Sequence, residues 1–194
     1  STLWSLVQAL IPSLGVASLY FVTAKIGLSM AFVHANATAV WPPTGLSLAA
    51  ILLLGVRIWP GIFAGAFLAN ITTAGTVATS LGIATGNTLE AVAGAWLLSR
   101  FANGLNVFHR ARTIFLFVVL VGGLSTMISA TIGIGSLLAG GFLEWHNVSA
   151  IWLTWWLGDA VGALTVTPFV VVWAVPPRPS WSFKRAVEFI GVLC

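Results

Sequence analysis

Residues from about 150 to 175 form an apolar run long enough to cross a bilayer as a helix, and Asp159 stands near its middle. A carboxyl group at the centre of a transmembrane helix costs roughly 2.5–3.5 kcal/mol on insertion scales. Such a residue must turn away from lipid. Trp152, Trp155 and Trp156 precede Asp159 at helical spacing and Gly162 follows it, so one face of this helix carries all of them. Gly162 leaves room for a neighbouring backbone. The rest of the chain has to supply helices for that face to bury against.

The composition agrees. Hydrophobic residues make up 59% of the 194 and charged residues only 6%, where an ordinary soluble domain has about a quarter charged. The apolar runs are continuous and lack the two-residue alternation of a β-barrel strand, so the expectation is an all-α, polytopic transmembrane helix bundle. Residues 1–194 read as one integral membrane domain. The single cysteine, Cys194, excludes a disulfide framework and cysteine-rich metal sites. A net charge of +4 without a basic stripe excludes a nucleic-acid partner. The first residues lack both a basic segment and a small-residue cleavage pattern, so they are not read as a removable signal peptide.

The first apolar run covers residues 3 to about 31, interrupted by Tyr20 and Lys25. After a polar stretch at 34–38 comes Trp41-Pro42-Pro43-Thr44-Gly45, where the prolines impose an extended approach and a helix start. The helix after them, to about Leu54, is short for a membrane core of about 30 Å. It is expected to be tilted, partly re-entrant, or extended through the Trp-Pro-Pro segment. A turn at 55–61 carries Arg57, and a third run continues to Ile71. Two adjacent short segments broken by Gly and Pro point to a binding region in membrane proteins. A fourth run covers about 77–98, a loop at 100–112 carries three arginines and His109, and a fifth run covers 113 to about 138. The Asp159 helix ends at Pro176-Pro177-Arg178-Pro179, and a last apolar start at 187–194 is too short to cross. The count is six complete spans plus a partial seventh, with the chain apparently cut inside that seventh helix.

The basic residues orient the bundle. With the N-terminus cytoplasmic, Arg57, Arg100, Arg110, Arg112, Arg178, Lys184 and Arg185 fall on cytoplasmic turns, and only Lys25 lies toward the outside.

In the fourth run Gly82, Gly86, Glu90 and Gly94 recur every four residues, a glycine ridge interrupted by a carboxylate. Asn87 stands one turn before Glu90, within reach of a hydrogen bond. Glu90 reads either as helix–helix glue or as a functional group. Asp159 reads either as a structural partner of Lys25 or as the floor of an aromatic-walled pocket that suits a cationic or planar ligand. By residue depth both carboxyl groups come near the bilayer midplane, from opposite sides. They are therefore expected to share one polar pocket, with Asn87, Asn70 or Lys25 as partners, responsive to protons or a bound cation. The candidate ligand-binding residues are Trp41, Thr44, Asn70, Asn87, Glu90, Trp155, Trp156 and Asp159. His34 and His146 lack the spacing of a metal or haem site, so no metal is assigned. His109 reads as a solvated loop residue. No nucleophile motif, zinc-protease motif or phosphate loop occurs, and the chain is not read as an enzyme.

Four ordered motifs carry a resemblance. Trp-Pro-Pro-Thr-Gly at 41–45, Leu-Gly-Val-Arg-Ile-Trp-Pro-Gly at 54–61, Gly-Asn-Thr-Leu-Glu at 86–90 and Trp-Leu-Thr-Trp-Trp-Leu-Gly-Asp-Ala at 152–160 together resemble the first type of bacterial membrane-associated sensor domain, the MASE family. The resemblance covers about residues 15–175. It implies a multi-pass sensory input module of the bacterial inner membrane, placed before the output domain of a histidine kinase or a cyclic-di-GMP enzyme. The implied partners are the lipid bilayer, a small-molecule or ion ligand, and a C-terminal cytoplasmic output domain or another membrane protein. The resemblance supplies no ligand and no cofactor. The alternative is an accessory or substrate-binding subunit of a transporter or larger membrane complex.

Overall fold

The computed structural model describes residues 2–29 and 38–176. The apolar start at 187–194 lies outside the described residues, as do His34, Arg178, Lys184 and Arg185. The described residues are helical throughout, with no strand among them: α1 (Thr2–Leu28), α2 (Pro42–Leu54), α3 (Trp59–Ile71), α4 (Val77–Phe101), α5 (Ala111–Phe117), α6 (Thr126–Ala139) and α7 (Val148–Ala174). A π-helical stretch, Val118–Ser125, joins α5 to α6, so Ala111–Ala139 is one rod with a widened middle.

The expected six complete spans are corrected by these boundaries. Among the described residues, three segments are long and apolar enough to cross a membrane: Leu10–Leu28, Ala111–Ala139 and Trp145–Ala174. Helices α2 and α3 have 13 residues each, about 20 Å, well short of a hydrocarbon core of about 30 Å. Helix α4 has 25 residues and the length to cross, but its Gly, Thr and Ser residues with Asn87 and Glu90 dilute its apolar character. Hydropathy counts apolar residues in a run; it does not register where proline and glycine stop a helix inside that run.

The local signals sit where the elements begin and end. Pro42 and Pro43 open α2 at positions whose N–H groups a helix leaves unpaired in any case. Gly55, at φ +87°, ends it in a conformation that disfavours a side chain. Thr76 caps α4: its hydroxyl accepts the Thr79 N–H, and the Thr79 hydroxyl accepts the Thr76 N–H in return.

The bundle presents apolar side chains outward and polar ones inward. Ile11, Phe115 and Phe169 are each about two-thirds exposed, while Asn87, Glu90, Ser129, Asp159 and Thr167 are buried. That inversion suits a lipid solvent. Helix α2 lies at the centre, in contact with α1, α4 and α7. Its seat is the glycine face of α7. A side chain on Gly162 would run into the Trp41 carbonyl, and one on Gly158 into the Thr38 carbonyl. Helix α1 packs on α3 in the same way, Gly65 lying against Ala17 and Tyr20.

Among the described residues, the arginines gather at one end. Gly55 and Val56, beside Arg57, share a groove of about 550 Å³ with Ser99 and Leu105, which flank Arg100. Lys25 lies at the opposite end, against the last turn of α3.

Candidate functional site

Helix α7 has 27 residues, and Gly158, Asp159 and Gly162 fall near its middle. The extended residues before α2 reach this depth because nothing larger than hydrogen protrudes from those two glycines. Trp41 N–H donates to the Gly158 carbonyl at 2.9 Å, and Thr167 Oγ1 donates to the Gly45 carbonyl at 3.1 Å. The Trp41–Thr44 segment packs against inner helices, and Trp41 and Thr44 are both buried. Backbone that is not helical at membrane depth is thereby satisfied by protein.

This seating aims the first turn of α2 at Asp159. Thr44 Oγ1 donates to Asp159 Oδ1 at 3.0 Å, and both residues are buried. The N-terminus of α2, the positive end of its dipole, thus meets an acidic group. Ser129 and Trp155 stand beside the same carboxyl group.

Glu90 comes from α4, near the middle of that helix, and is 1% exposed. It lies close enough to Asp159 for the two carboxyl groups to interact electrostatically. Tyr20, from the middle of the apolar part of α1, is equally buried and within electrostatic reach of both acids. Its ring meets Trp41 edge-on at 6.5 Å. Among the described residues, Glu90 Oε1 and Oε2, Asp159 Oδ2 and Tyr20 Oη have no hydrogen-bond partner. Buried polar atoms are normally paired, and an unpaired one costs about 1–3 kcal/mol, more where charged. Four such atoms in one place mark a site that awaits a further group.

The remaining polar residues take other roles. Asn87 does not bond Glu90: its amide donates to the Ile83 carbonyl at 2.9 Å, and its oxygen accepts from Ser129 Oγ at 3.2 Å. Ser129 in turn accepts the Trp155 indole N–H at 3.1 Å. The result is a chain from α4 through α6 to α7 beside the carboxyl groups. Asn70 is buried but bonds the Ala66 carbonyl within its own helix. Lys25 is not the partner of Asp159. Its ammonium donates to the Ala69 and Thr72 carbonyls at 3.3 and 2.9 Å and to Thr73 Oγ1 at 2.7 Å, closing the end of α3.

The tryptophans divide between these neighbours. Trp155 continues the Asp159 face, while Trp152 and Trp156 stack on each other at 5.8 Å and turn to α6. Trp152 donates to Thr131 Oγ1 at 3.2 Å, and Trp156 to the Gly123 carbonyl at 3.1 Å, inside the π-helical stretch. Their indoles tie two helices together instead of walling a pocket above Asp159. His146 faces Glu144 at 3.2 Å on an exposed loop, and His109 is exposed.

Residue-by-residue reading missed Tyr20 and Ser129 as members of the site. Tyr20 had a signal, being the one tyrosine of the chain and set inside the first apolar run. Ser129 had a weaker one, since Ser125, Ser129 and Gly133 repeat every four residues in the fifth run.

The fold and its acidic centre define a helical membrane protein with a buried polar core. The MASE1 family model matches residues 12–192, nearly the whole chain, and the chain belongs to that family. MASE1 is a membrane sensory domain family found in signalling proteins. No curated protein and no solved structure matches the chain.

Proposed function

We propose that this chain is the sensory input domain of a bacterial signalling protein, multi-pass in the inner membrane, with its ligand held in the buried core formed by Tyr20, Thr44, Glu90, Ser129 and Asp159. The observation that carries this reading is the set of unpartnered carboxyl and phenol oxygens at the centre of a sensory-family fold. A purely structural acid would have gathered donors, as Lys25 has gathered acceptors. The gathering of Arg57, Arg100 and Arg110 at one end supports a cytoplasmic placement for that end, and with it a cytoplasmic N-terminus. Occupancy of the core would reach a C-terminal output domain, a histidine kinase or a cyclic-di-GMP enzyme, through α7. That helix carries both Asp159 and the tryptophans that grip the π-helical stretch.

The test is signalling by the domain joined to its output domain, with Asp159→Asn and Glu90→Gln made singly and membrane insertion verified. Coupling between sites is typically worth about 5- to 150-fold, so a shift of basal or stimulated output by at least about fivefold is expected. Output indistinguishable from the parent in both variants would sink the reading. A half-length helix ending at a mid-depth acid also resembles the way transporters build substrate sites. That observation favours the accessory-subunit reading as the second choice, and cells lacking the protein would then lose uptake of a solute without losing a signalling response.

A further inference from the structure

Six buried side-chain oxygens lack a partner among the described residues, and five of them belong to Tyr20, Ser47, Glu90 and Asp159. Ser47 lies one turn beyond Thr44 on α2. The sixth, on Ser80, sits ten positions before Glu90, about 15 Å along α4. The unpartnered atoms are therefore concentrated around the two acids. Their chemistry is uniform: two carboxyl groups with hydroxyls beside them, and neither nitrogen nor sulfur.

A site of this kind selects its occupant. Oxygen-only donor sets suit hard cations, whereas softer transition metals prefer imidazole and thiolate. No group of three or more His, Cys, Asp or Glu forms among the described residues, so the two acids stand without the nitrogen or sulfur neighbours a zinc-type site uses. Lys25 is held at the end of α3 by three oxygens and does not neutralise the pair. Two acids buried in an apolar bundle are neutralised by protons or by a bound cation. A Tyr20 hydroxyl that is buried, unpartnered and within reach of both acids would complete the coordination of a small cation.

We propose that Glu90, Asp159, Tyr20 and Thr44 form a binding site for a hard metal cation, calcium or sodium, in the centre of the bundle. This names the class of ligand for the sensory core and rests on that reading for its consequence, though not for the binding itself. Calcium accepts about six to eight oxygens in flexible geometry, while magnesium demands near-octahedral geometry and retains water. Magnesium is therefore the discriminating control.

The experiment uses the whole chain, stripped with chelator and placed in nanodiscs of zwitterionic lipid. Thermal unfolding is followed in CaCl₂, NaCl, MgCl₂ and choline chloride at constant ionic strength. At a hundred times the dissociation constant, calcium or sodium should raise the midpoint by roughly 5–10 °C over choline, and magnesium by less. The Glu90→Gln/Asp159→Asn double variant should lose that shift, and Tyr20→Phe should weaken the apparent affinity by about tenfold. No difference between the metal chlorides and choline overturns the proposal, as does a shift that survives in the double variant. Should the double variant fail to fold, Tyr20→Phe and Thr44→Val decide: unchanged affinity in both overturns the site. The two readings fail separately. Cation binding with no change in output leaves the site standing and sinks the sensory role, while altered output in Asp159→Asn without cation binding does the reverse.

Discussion

Among the described residues, Lys25 and the Glu90–Asp159 pair are two places where ionisable groups are drawn out of water, and they are handled in opposite ways. Lys25 is half-buried and donates to three oxygens at the end of α3. A helix C-terminus exposes unpaired carbonyls and the negative end of its dipole, so an ammonium there is satisfied by local geometry. The two acids are fully buried, yet among the described residues only one of their four oxygens, Asp159 Oδ1, accepts a hydrogen bond, from the Thr44 hydroxyl. On the proposed reading, the difference is the one between a structural charge and a functional one in a membrane protein. The first is matched by its neighbours; the second is positioned by them and left unmatched.

The contrast depends first on the seat that brings α2 to Asp159. Gly162→Ala places a methyl group against the Trp41 carbonyl, a backbone atom that cannot yield as a side chain would. A loss of about 3 kcal/mol or more is expected, seen as a collapse in folded yield by size-exclusion chromatography. A well-folded Gly162→Ala protein would mean that α2 does not dock there.

The two charged regions then separate by thermal unfolding in detergent. Lys25→Met removes a charged donor from three acceptors and should destabilise by about 1–2 kcal/mol, the lower end of the range applying because part of the cluster is solvent-exposed. Glu90→Gln and Asp159→Asn keep the shape and remove the acid. In metal-free buffer they should change stability by less than about 1 kcal/mol or increase it, because replacing uncompensated buried ionisable groups is often neutral or stabilising. Should they destabilise as much as Lys25→Met, the acids are structural and the contrast disappears. The smallest effect is expected away from both charged regions. Gly135→Ala lies on an exposed helical position with nothing within 4 Å of the added carbon, and should stabilise by about 0.5–1 kcal/mol.

Much of the centre was legible in residue types. Asp159 and Glu90 were readable as inward-facing because an acid in an apolar run has one tolerable direction. Their glycine neighbours announced close approach by other helices. Trp41-Pro42-Pro43 announced an extended entry and a helix start at depth. What periodicity cannot supply is the identity of the partner across the gap. Lys25, Asn70 and Asn87 were all reasonable partners for the acids by composition, and the structure gives each a different bond.

From the amino-acid sequence alone came the solvent this protein lives in, the helical class, the inward direction of Asp159 and Glu90, and the family motifs. All of these follow from local quantities: hydropathy, the 3.6-residue period, and the backbone rules of proline and glycine. The tertiary structure alone decided that Lys25 closes α3 and that Tyr20 and Ser129 join the acids. It also decided that Trp156 meets the π-helical stretch at Gly123. Those outcomes rest on the tilt and register of one helix against another. Because a shift of one turn exchanges every partner across an interface, side-chain pairing between helices is settled only when the whole bundle packs.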